Sequence, residues 1–459
     1  MSSKPHSLTV SAAAALYDSM LQRALQQFFS RAALETEVVP AQAGSSEMAI
    51  EPTGDASAIV VTWFEFRHTL RVAPERPFTP DEVRFARGIV SVLDARYRAI
   101  FDPALMAERL DLFRGAVEDR YIGAFLDDVP YTLEHIGRAD VIAQAVEVLR
   151  VAALSRYENR EISSGVLLLD TATDPARGAC RTKPTLDYAE GLTSVKSFYR
   201  LSDGLHTAFL VNRDGKVLDI VDVDEWDARA GVRGTLDVPV ARPYQAHARA
   251  TEGNHHISII LTPSHEIRVF AGGAQVFTFR NASWHLLDIA AKYDMWQRAV
   301  GNEPLARLIF QTALDLADMR QGALFVVLRD AAEGHGGVAD GLARLVAPAD
   351  RLDLPHDHEP SDGRIDRRDL LHFAVGRTVT DLSPDVFRAL STMDGAIVTD
   401  QRGRLLAAGA ILLHSGPASV EIEGARTAAA FGAAQYGPIL KVSEDGHMTC
   451  FDQGRLWEI

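Results

Sequence analysis

The chain has almost no cysteine. Cys180 and Cys450 are the only two in 459 residues, which excludes a disulfide framework and points to free thiols in a reducing compartment. Long apolar runs are also missing, so no stretch has the roughly 20 residues that a membrane-spanning helix needs. The start, Met1–Ser2–Ser3–Lys4–Pro5–His6, lacks the apolar core of a signal peptide. A cytoplasmic location and no membrane partner are therefore expected. Positive charge is in short supply: 47 Lys and Arg against 62 Asp and Glu give a formal net charge of -15. A surface of that sign repels nucleic acid and anionic lipid, so neither is expected to bind, while a small phosphate site is still compatible. No nucleophile elbow, zinc-protease His pair, CxxC pair or kinase signature occurs. Glu333–Gly334–His335–Gly336–Gly337 is glycine-rich but lacks the Gly-Lys-Ser/Thr ending of a Walker loop; it reads as a mobile loop at the border of a site.

What is present is an ordinary apolar content, 47 %, enough for each unit to bury a core. The length predicts about three domains, placed at 1–105, 106–295 and 296–459. Leu8 to about Ser30 reads as an amphipathic helix with Ala15, Leu16, Met20, Leu21, Ala24 and Leu25 on one side. Ile59 to Phe66 and Leu70 to Val72 read as strands. Thr79 is placed to be an N-cap, with Pro80 at the first helical position and Glu82 completing a capping box. The helix so begun runs through Phe85, Ile89, Leu93 and Tyr97. Strands followed by this aromatic-Thr-x-Asp-Glu entry resemble the end of a GAF-type sensor domain. Asp102 to about Arg156 reads as mostly helical.

The most informative stretch is the last third. Val386 to Leu390 closes a helical run, Met393–Asp394–Gly395–Ala396 makes an acidic turn, and Ile397–Val398–Thr399 opens a strand. An Asp followed by Gly and Ala puts a carboxylate at a strand start with almost no side-chain bulk after it. Such a turn can be a plain strand entry, and it can also let a nucleotide or hydrated metal approach the backbone. Upstream lie a helix, Leu305 to Met319, and the segment Gln321–Gly322–Ala323–Leu324–Phe325–Val326–Val327. Downstream come a turn at Gln401–Arg402–Gly403, a strand from Leu405, the run Gly424–Ala425–Arg426–Thr427–Ala428, and a hairpin from Ile439–Leu440–Lys441–Val442 to Met448–Phe451.

This order resembles the diadenylate cyclase (DAC) domain, which condenses two ATP molecules into cyclic di-AMP. The resemblance covers about a third of the chain. It implies a mixed β-sheet flanked by helices, an α/β (α+β) fold, and a dimeric active unit. It assigns Asp394 as the metal-binding carboxylate for Mg²⁺ or Mn²⁺ if nucleotide binding is retained, and as the catalytic one only if the domain is active, and places Gly395, Ala396, Arg426, Thr427, Ser443 and Glu444 around the nucleotide. One part of the pattern is broken. Where the family carries Arg-His-Arg to grip phosphates, this chain keeps Arg426 and has Thr427 and Ala428 instead. Phosphoryl transfer depends on positioned positive charge, and Thr and Ala supply none.

A second copy is expected upstream. Ser164–Gly165–Val166–Leu167–Leu168–Leu169–Asp170 resembles Gln321 to Val327, and Ser202–Asp203–Gly204–Leu205 resembles Met393 to Ala396. Ile259–Ile260–Leu261 through Phe270–Gly273 parallels Leu440–Lys441–Val442 through Phe451–Gly454 without a gap. This copy has no Arg-His-Arg run, and Arg242, His247 and Arg249 are only loosely placed, so it is expected to be structural or to take another ligand. His356–Asp357–His358–Glu359 is a dense set of potential metal ligands, better explained as a solvated charged insertion; His255–His256 precedes a strand. The expected function is a divergent DAC-like protein that binds ATP or a cyclic dinucleotide as a sensor, pairing as a homodimer or as an intrachain pseudo-dimer. The alternatives are an active cyclase drawing charge from Arg404 or Lys441, and a non-catalytic interaction module.

Overall fold

A computed structural model describes residues 4–38, 48–51, 53–64, 66–72, 76–157, 160–172, 186–190, 201–230, 235–330, 337–353, 367–413 and 425–459. Cys180, the loop 333–336, His356–Asp357–His358–Glu359 and Gly424 lie outside them. The fold is mixed α+β and forms two compact units, one built from 1–235 and 246–288, the other from 236–245 and 289–459.

In the first unit, α1 (Lys4–Phe28) leads into β1 (Ala32–Val38), β2 (Ala49–Glu51), β3 (Ala58–Trp63) and β4 (Phe66–Val72), an antiparallel sheet in the order β1-β4-β3-β2. Reading Ile59 to Phe66 as one strand needs correction. Phe64 takes a left-handed φ of 50°, the chain reverses, and Phe66 pairs back onto Trp63. The helix α2 (Pro80–Phe101) starts as its sequence dictates. Thr79 accepts from the Glu82 N–H at 3.1 Å and the Glu82 carboxylate accepts from the Thr79 N–H at 2.9 Å. Its Phe85, Ile89, Leu93 and Tyr97 are all buried. Gly88 lets the backbone of α3 (Val117–Leu126) come close, since a Cβ there would lie 3.2 Å from the Phe125 nitrogen. The next helix, α4 (Val141–Ala153), is capped by Asp140, which accepts from the Ala143 N–H at 2.9 Å.

A larger sheet completes this unit: β5 (Ser164–Leu168), β6 (Thr207–Val211), β7 (Val217–Asp222), then helix α5 (Gln245–Ala250), then β8 (Ile257–Leu261), β9 (Ile267–Ala271), β10 (Ala274–Arg280) and β11 (Ser283–Leu286). The order is β11-β10-β9-β8-β5-β6-β7. β5 and β6 run parallel and the other neighbours antiparallel. Phe85 of α2 meets Phe277 of β10 at 5.2 Å between ring centroids, and both sheets share one apolar core.

The second unit holds α6 (Glu303–Asp318), β12 (Ala323–Leu328), α7 (Pro384–Ser391), β13 (Ala396–Asp400), β14 (Leu405–Ala410), α8 (Ala425–Ala433), β15 (Ile439–Val442), β16 (Met448–Phe451) and β17 (Arg455–Glu458). The continuous apolar run of β12 is buried along its whole length, as a strand covered on both faces must be. Leu324, Val326 and Leu328 share a core with Ala430 and Ala433 of α8, while Phe325 on the other face meets Phe387 of α7 at 6.0 Å.

The sheet order is β14-β13-β12-β15-β16-β17, with β12 and β13 parallel. It repeats β7-β6-β5-β8-β9-β10 strand for strand, directions included. The turns repeat as well. Asn212 Oδ1 accepts from the Asp214 and Lys216 N–H groups at 3.1 and 2.9 Å, and Asp400 Oδ1 accepts from Arg402 and Arg404 at 3.0 and 2.9 Å. Gly215 and Gly403 sit at φ +79° and +82° in these turns. In the later hairpins Thr262 N–H bonds to the Glu266 carbonyl and Ser443 N–H to the His447 carbonyl.

Registry refines the repeat alignment. Val166 pairs with Phe209 as Phe325 pairs with Ile397, and Ser164 pairs with Leu261 as Ala323 pairs with Val442. Ser164 therefore corresponds to Ala323, two residues beyond the match read from sequence. A shift of two keeps every side chain on its face. The strand β14 ends the sheet, yet all its residues are buried. A single-residue bridge from Arg351 to Ala407 lies on it, and bridges from Val346 to Leu412 and Thr378 to Arg404 flank its two ends.

Candidate functional site

The turn between α7 and β13 carries the site. Gly395 stands at φ +114°, and a Cβ on it would collide with the Gly409 carbonyl of β14; Gly409 is itself left-handed at φ +64°. Two glycines thus let the turn lie directly on the neighbouring strand. Asp394 is left at the rim with its side chain 98 % exposed. The run expected to grip phosphates opens α8. Arg426, in its first turn, lies over Gly322, where any Cβ would collide with the guanidinium.

Arg426 Nη1 donates to Glu444 Oε1 at 2.9 Å, and its Nη2 lies 3.8 Å from Asp394 Oδ1. Lys441 Nζ donates to Thr427 Oγ1 at 2.8 Å. Burial, the largest influence on Lys441, pushes its pKa below the usual lysine range despite Glu458 and Asp445. Between turn, β14 and α8 is a pocket of about 370 Å³. Asp394 and Arg426 stand on its wall, Gly395 and Ala396 border it, and Leu324, Ala410, Leu412, Ala428 and Ala429 give it an apolar lining. That volume lies within the usual range for small-molecule sites, about 300–1,000 Å³. The arrangement suits a flat apolar ring joined to an anion.

The residues named from sequence divide into two sets. Asp394, Gly395, Ala396 and Arg426 come together on the pocket. Thr427 is engaged with Lys441, Glu444 reaches the site through Arg426, and Ser443 forms the hairpin turn, accepting from the Gly446 N–H at 3.0 Å. Lys441 belongs beside the site. Arg404 does not: it pairs with Asp400 at 2.6 Å, at the far end of β13 from Asp394. Sequence reasoning missed Gly322 and Gly409, whose value is the room they leave for partners distant in the chain.

The same region of the first repeat is closed. Gly204 lies eight residues before Asn212, whereas Gly395 lies five before Asp400, so the first turn is longer. Asp203 Oδ1 accepts from the N–H groups of Leu205, His206 and Thr207 at 2.8–2.9 Å. Burial pushes its pKa up, but these hydrogen bonds together outweigh it and hold the carboxyl below its ordinary value. His247 of α5 is fully buried, bonds to the Leu205 carbonyl at 3.0 Å and to Ser258 Oγ at 2.8 Å, and stacks on Phe270. An imidazole thus fills the space between helix and turn that is a pocket in the second repeat. Arg249 is paired with Asp227 at 2.6 Å, while Arg242 lies in the second unit, where it pairs with Asp385 at 2.5 Å.

Among the described residues no three His, Cys, Asp or Glu side chains converge on a point that could hold a metal. A divalent ion fits at Asp394 only in the form that shares one or two carboxylates with a ligand's phosphates. Also among the described residues, no helix is long and apolar enough to cross a membrane.

No family model matches the chain, and no curated protein matches it. Solved structures similar to it include a double mutant of DacA from Staphylococcus aureus, 17 % identical, with 34 % of this chain and 86 % of that one covered at a TM-score of 0.22. Another is a hypothetical membrane spanning protein from Bacillus cereus, 20 % identical, with 37 % and 71 % covered at a TM-score of 0.25.

Proposed function

We propose that the second unit is a divergent DAC-like module that binds a nucleotide or cyclic dinucleotide as a sensor, without efficient synthesis. The observation that carries this reading is the pocket bounded by Asp394 and Arg426; a purely structural module would have no reason to keep it open. The apolar lining takes the base, Arg426 the phosphate, and the bare backbone at Gly395 allows close approach. Asp394 holds Mg²⁺ or Mn²⁺ together with the phosphates, and the ion supplies charge neutralisation there. Synthesis is weak in this reading because Ala428 is apolar and Thr427 is bonded to Lys441. Each missing charge-assisted contact is worth about 1.5–3 kcal/mol.

The test is a melting-temperature titration with ATP and cyclic di-AMP in the presence of Mg²⁺ or Mn²⁺, together with mass spectrometry for cyclic products. Stabilisation lost in Arg426→Ala, without product, supports the reading. Absence of any nucleotide-dependent shift sinks it. A second reading, an active cyclase, draws on Lys441 standing 2.8 Å from Thr427, where it brings a cation next to the two replaced positions. Cyclic product that disappears in both Asp394→Asn and Lys441→Met would favour that reading.

A further inference from the structure

The first unit holds a cavity of about 470 Å³ at the opposite end of its large sheet from the Asp203–Gly204 turn. Its floor is the carboxyl ends of the parallel pair β5 and β6, at Leu168–Asp170 and Asn212–Arg213. In open α/β sheets this is where ligands bind. Three guanidinium-bearing residues from three separate elements border it: Arg84 of α2, Arg138 before α4, and Arg213 after β6; His255 adds an imidazole. The first turn of α4, Val141 and Ile142, forms another part of the wall, with Asp140 capping the helix there.

Four aspartates, Asp127, Asp128, Asp140 and Asp170, stand on the same wall, and three of them are turned to internal use. Asp140 accepts from the Ala143 N–H and the Tyr131 hydroxyl. Asp127 accepts from the Val129 N–H at 3.1 Å, and Asp170 lies 2.9 Å from His256 Nδ1. Two of the arginines are less tightly engaged. Arg84 gives one hydrogen bond at 3.3 Å, to the Leu126 carbonyl, and lies 4.7 Å from the centre of the Phe125 ring, and Arg213 comes no nearer than 3.9 Å to Asp214. The repeat supplies a comparison within the chain. At the same turn the second unit has Asp400 paired with Arg404, whereas the first has the uncharged Asn212 with the same two hydrogen bonds to its Oδ1. The backbone needs only an acceptor there, and the first unit provides one without negative charge.

We propose that this cavity is a second ligand site, and that it takes a small oxyanion-bearing molecule held by Arg84, Arg138 and Arg213. The shared chemistry is a phosphate or carboxylate group presented to guanidinium donors.

The test uses the full chain and two probes, inorganic phosphate and succinate, each read against sodium chloride of equal ionic strength by melting temperature and calorimetry. Saturable stabilisation by either probe is expected, and which of the two acts separates a phosphate ligand from a carboxylate one. Binding should be at least about tenfold weaker in Arg138→Gln/Arg213→Gln, two exposed positions. Asn212→Asp, which keeps the turn acceptor and adds a charge, should weaken it as well. Arg426→Gln is the control for the pocket of the second unit and should leave this binding intact. No stabilisation beyond chloride, equal binding by both sets of variants and the wild type, or binding lost only in Arg426→Gln would each overturn the proposal.

Discussion

Arg426 and Glu444 form an ion pair at 2.9 Å across 18 positions of sequence, with Asp394 on the other side of the same guanidinium at 3.8 Å. The group that should receive a phosphate is therefore already shared between two carboxylates. An incoming anion must either displace them or arrive with a cation that neutralises them. Glu444→Gln should tighten nucleotide binding about two- to fivefold in the absence of divalent ions, in keeping with the small worth of an exposed pair. It should also reduce the dependence on Mg²⁺. Calorimetric titrations with and without metal would show this; weaker binding in the variant would mean that Glu444 itself holds the ligand.

Gly322 leaves open the space that Arg426 fills, because a Cβ at 322 would collide with the guanidinium. Gly322→Ala should weaken nucleotide binding in the wild-type background while Gly322→Ala on top of Arg426→Ala should change little more. A double-mutant cycle would give a coupling of about 0.5–3 kcal/mol, as found for residues in contact. Additive effects would mean that the arginine sits elsewhere when ligand is bound.

His247 is held neutral. Burial is the main cause of its lowered pKa, opposed by the Leu205 carbonyl, Asp224 and Asp203, and assisted by His206. The carbonyl can only accept, so Nε2 carries the proton and Nδ1 accepts from the Ser258 hydroxyl. The unfolded chain takes up a proton at this residue below its ordinary pKa of about 6.5, and the folded chain does so only at lower pH. Stability conferred on the neutral ring is thus present above that pH and declines as pH falls towards the lowered folded value. His247→Asn should cost stability at neutral pH and flatten this part of the acid limb in a denaturation series. An unchanged acid limb would assign the pH dependence to other groups.

Asp203 has the opposite linkage. Its folded pKa lies below the unfolded one, so its contribution is present above the unfolded carboxylate range and is lost as pH falls through the folded value. Asp203→Ala removes the acceptor of three backbone N–H groups. It should cost roughly 0.5–2 kcal/mol at pH 7, the scale of a lost capping side chain. The difference from wild type should shrink under acid conditions. Urea titrations at the two pH values would check both parts.

The parts of this fold written in local chemistry were legible in the sequence. The Thr79–Glu82 box, the Asp394–Gly395–Ala396 turn and the paired hairpins at Thr262 and Ser443 each depend on residues a few positions apart. What was not legible depends on distant neighbours. β1 is largely exposed and alternates only over its first four residues, too short a pattern to announce Ala32–Val38 as a strand before β4 pairs with it. The match of Ser164 to Ala323 was masked by the glycines at 165 and 322, which sit in similar words but at different registers. Arg426 could be named as a phosphate contact, but its carboxylate partners could not, because only the fold brings α8 against the last hairpin. His247 looked loosely placed for the same reason.

The outer strand β14 has a further consequence. An unpaired strand edge is a template on which another chain can add itself, the route by which sheets grow into fibres. Here short bridges from Val346, Arg351 and Thr378, all between β12 and α7, lie along that edge. That long connection serves as a guard rail: it uses up backbone groups that would otherwise solicit a stranger. Shortening it in an engineered protein would spare the pocket and expose the sheet, so the cost would be measured in solubility before it was measured in binding.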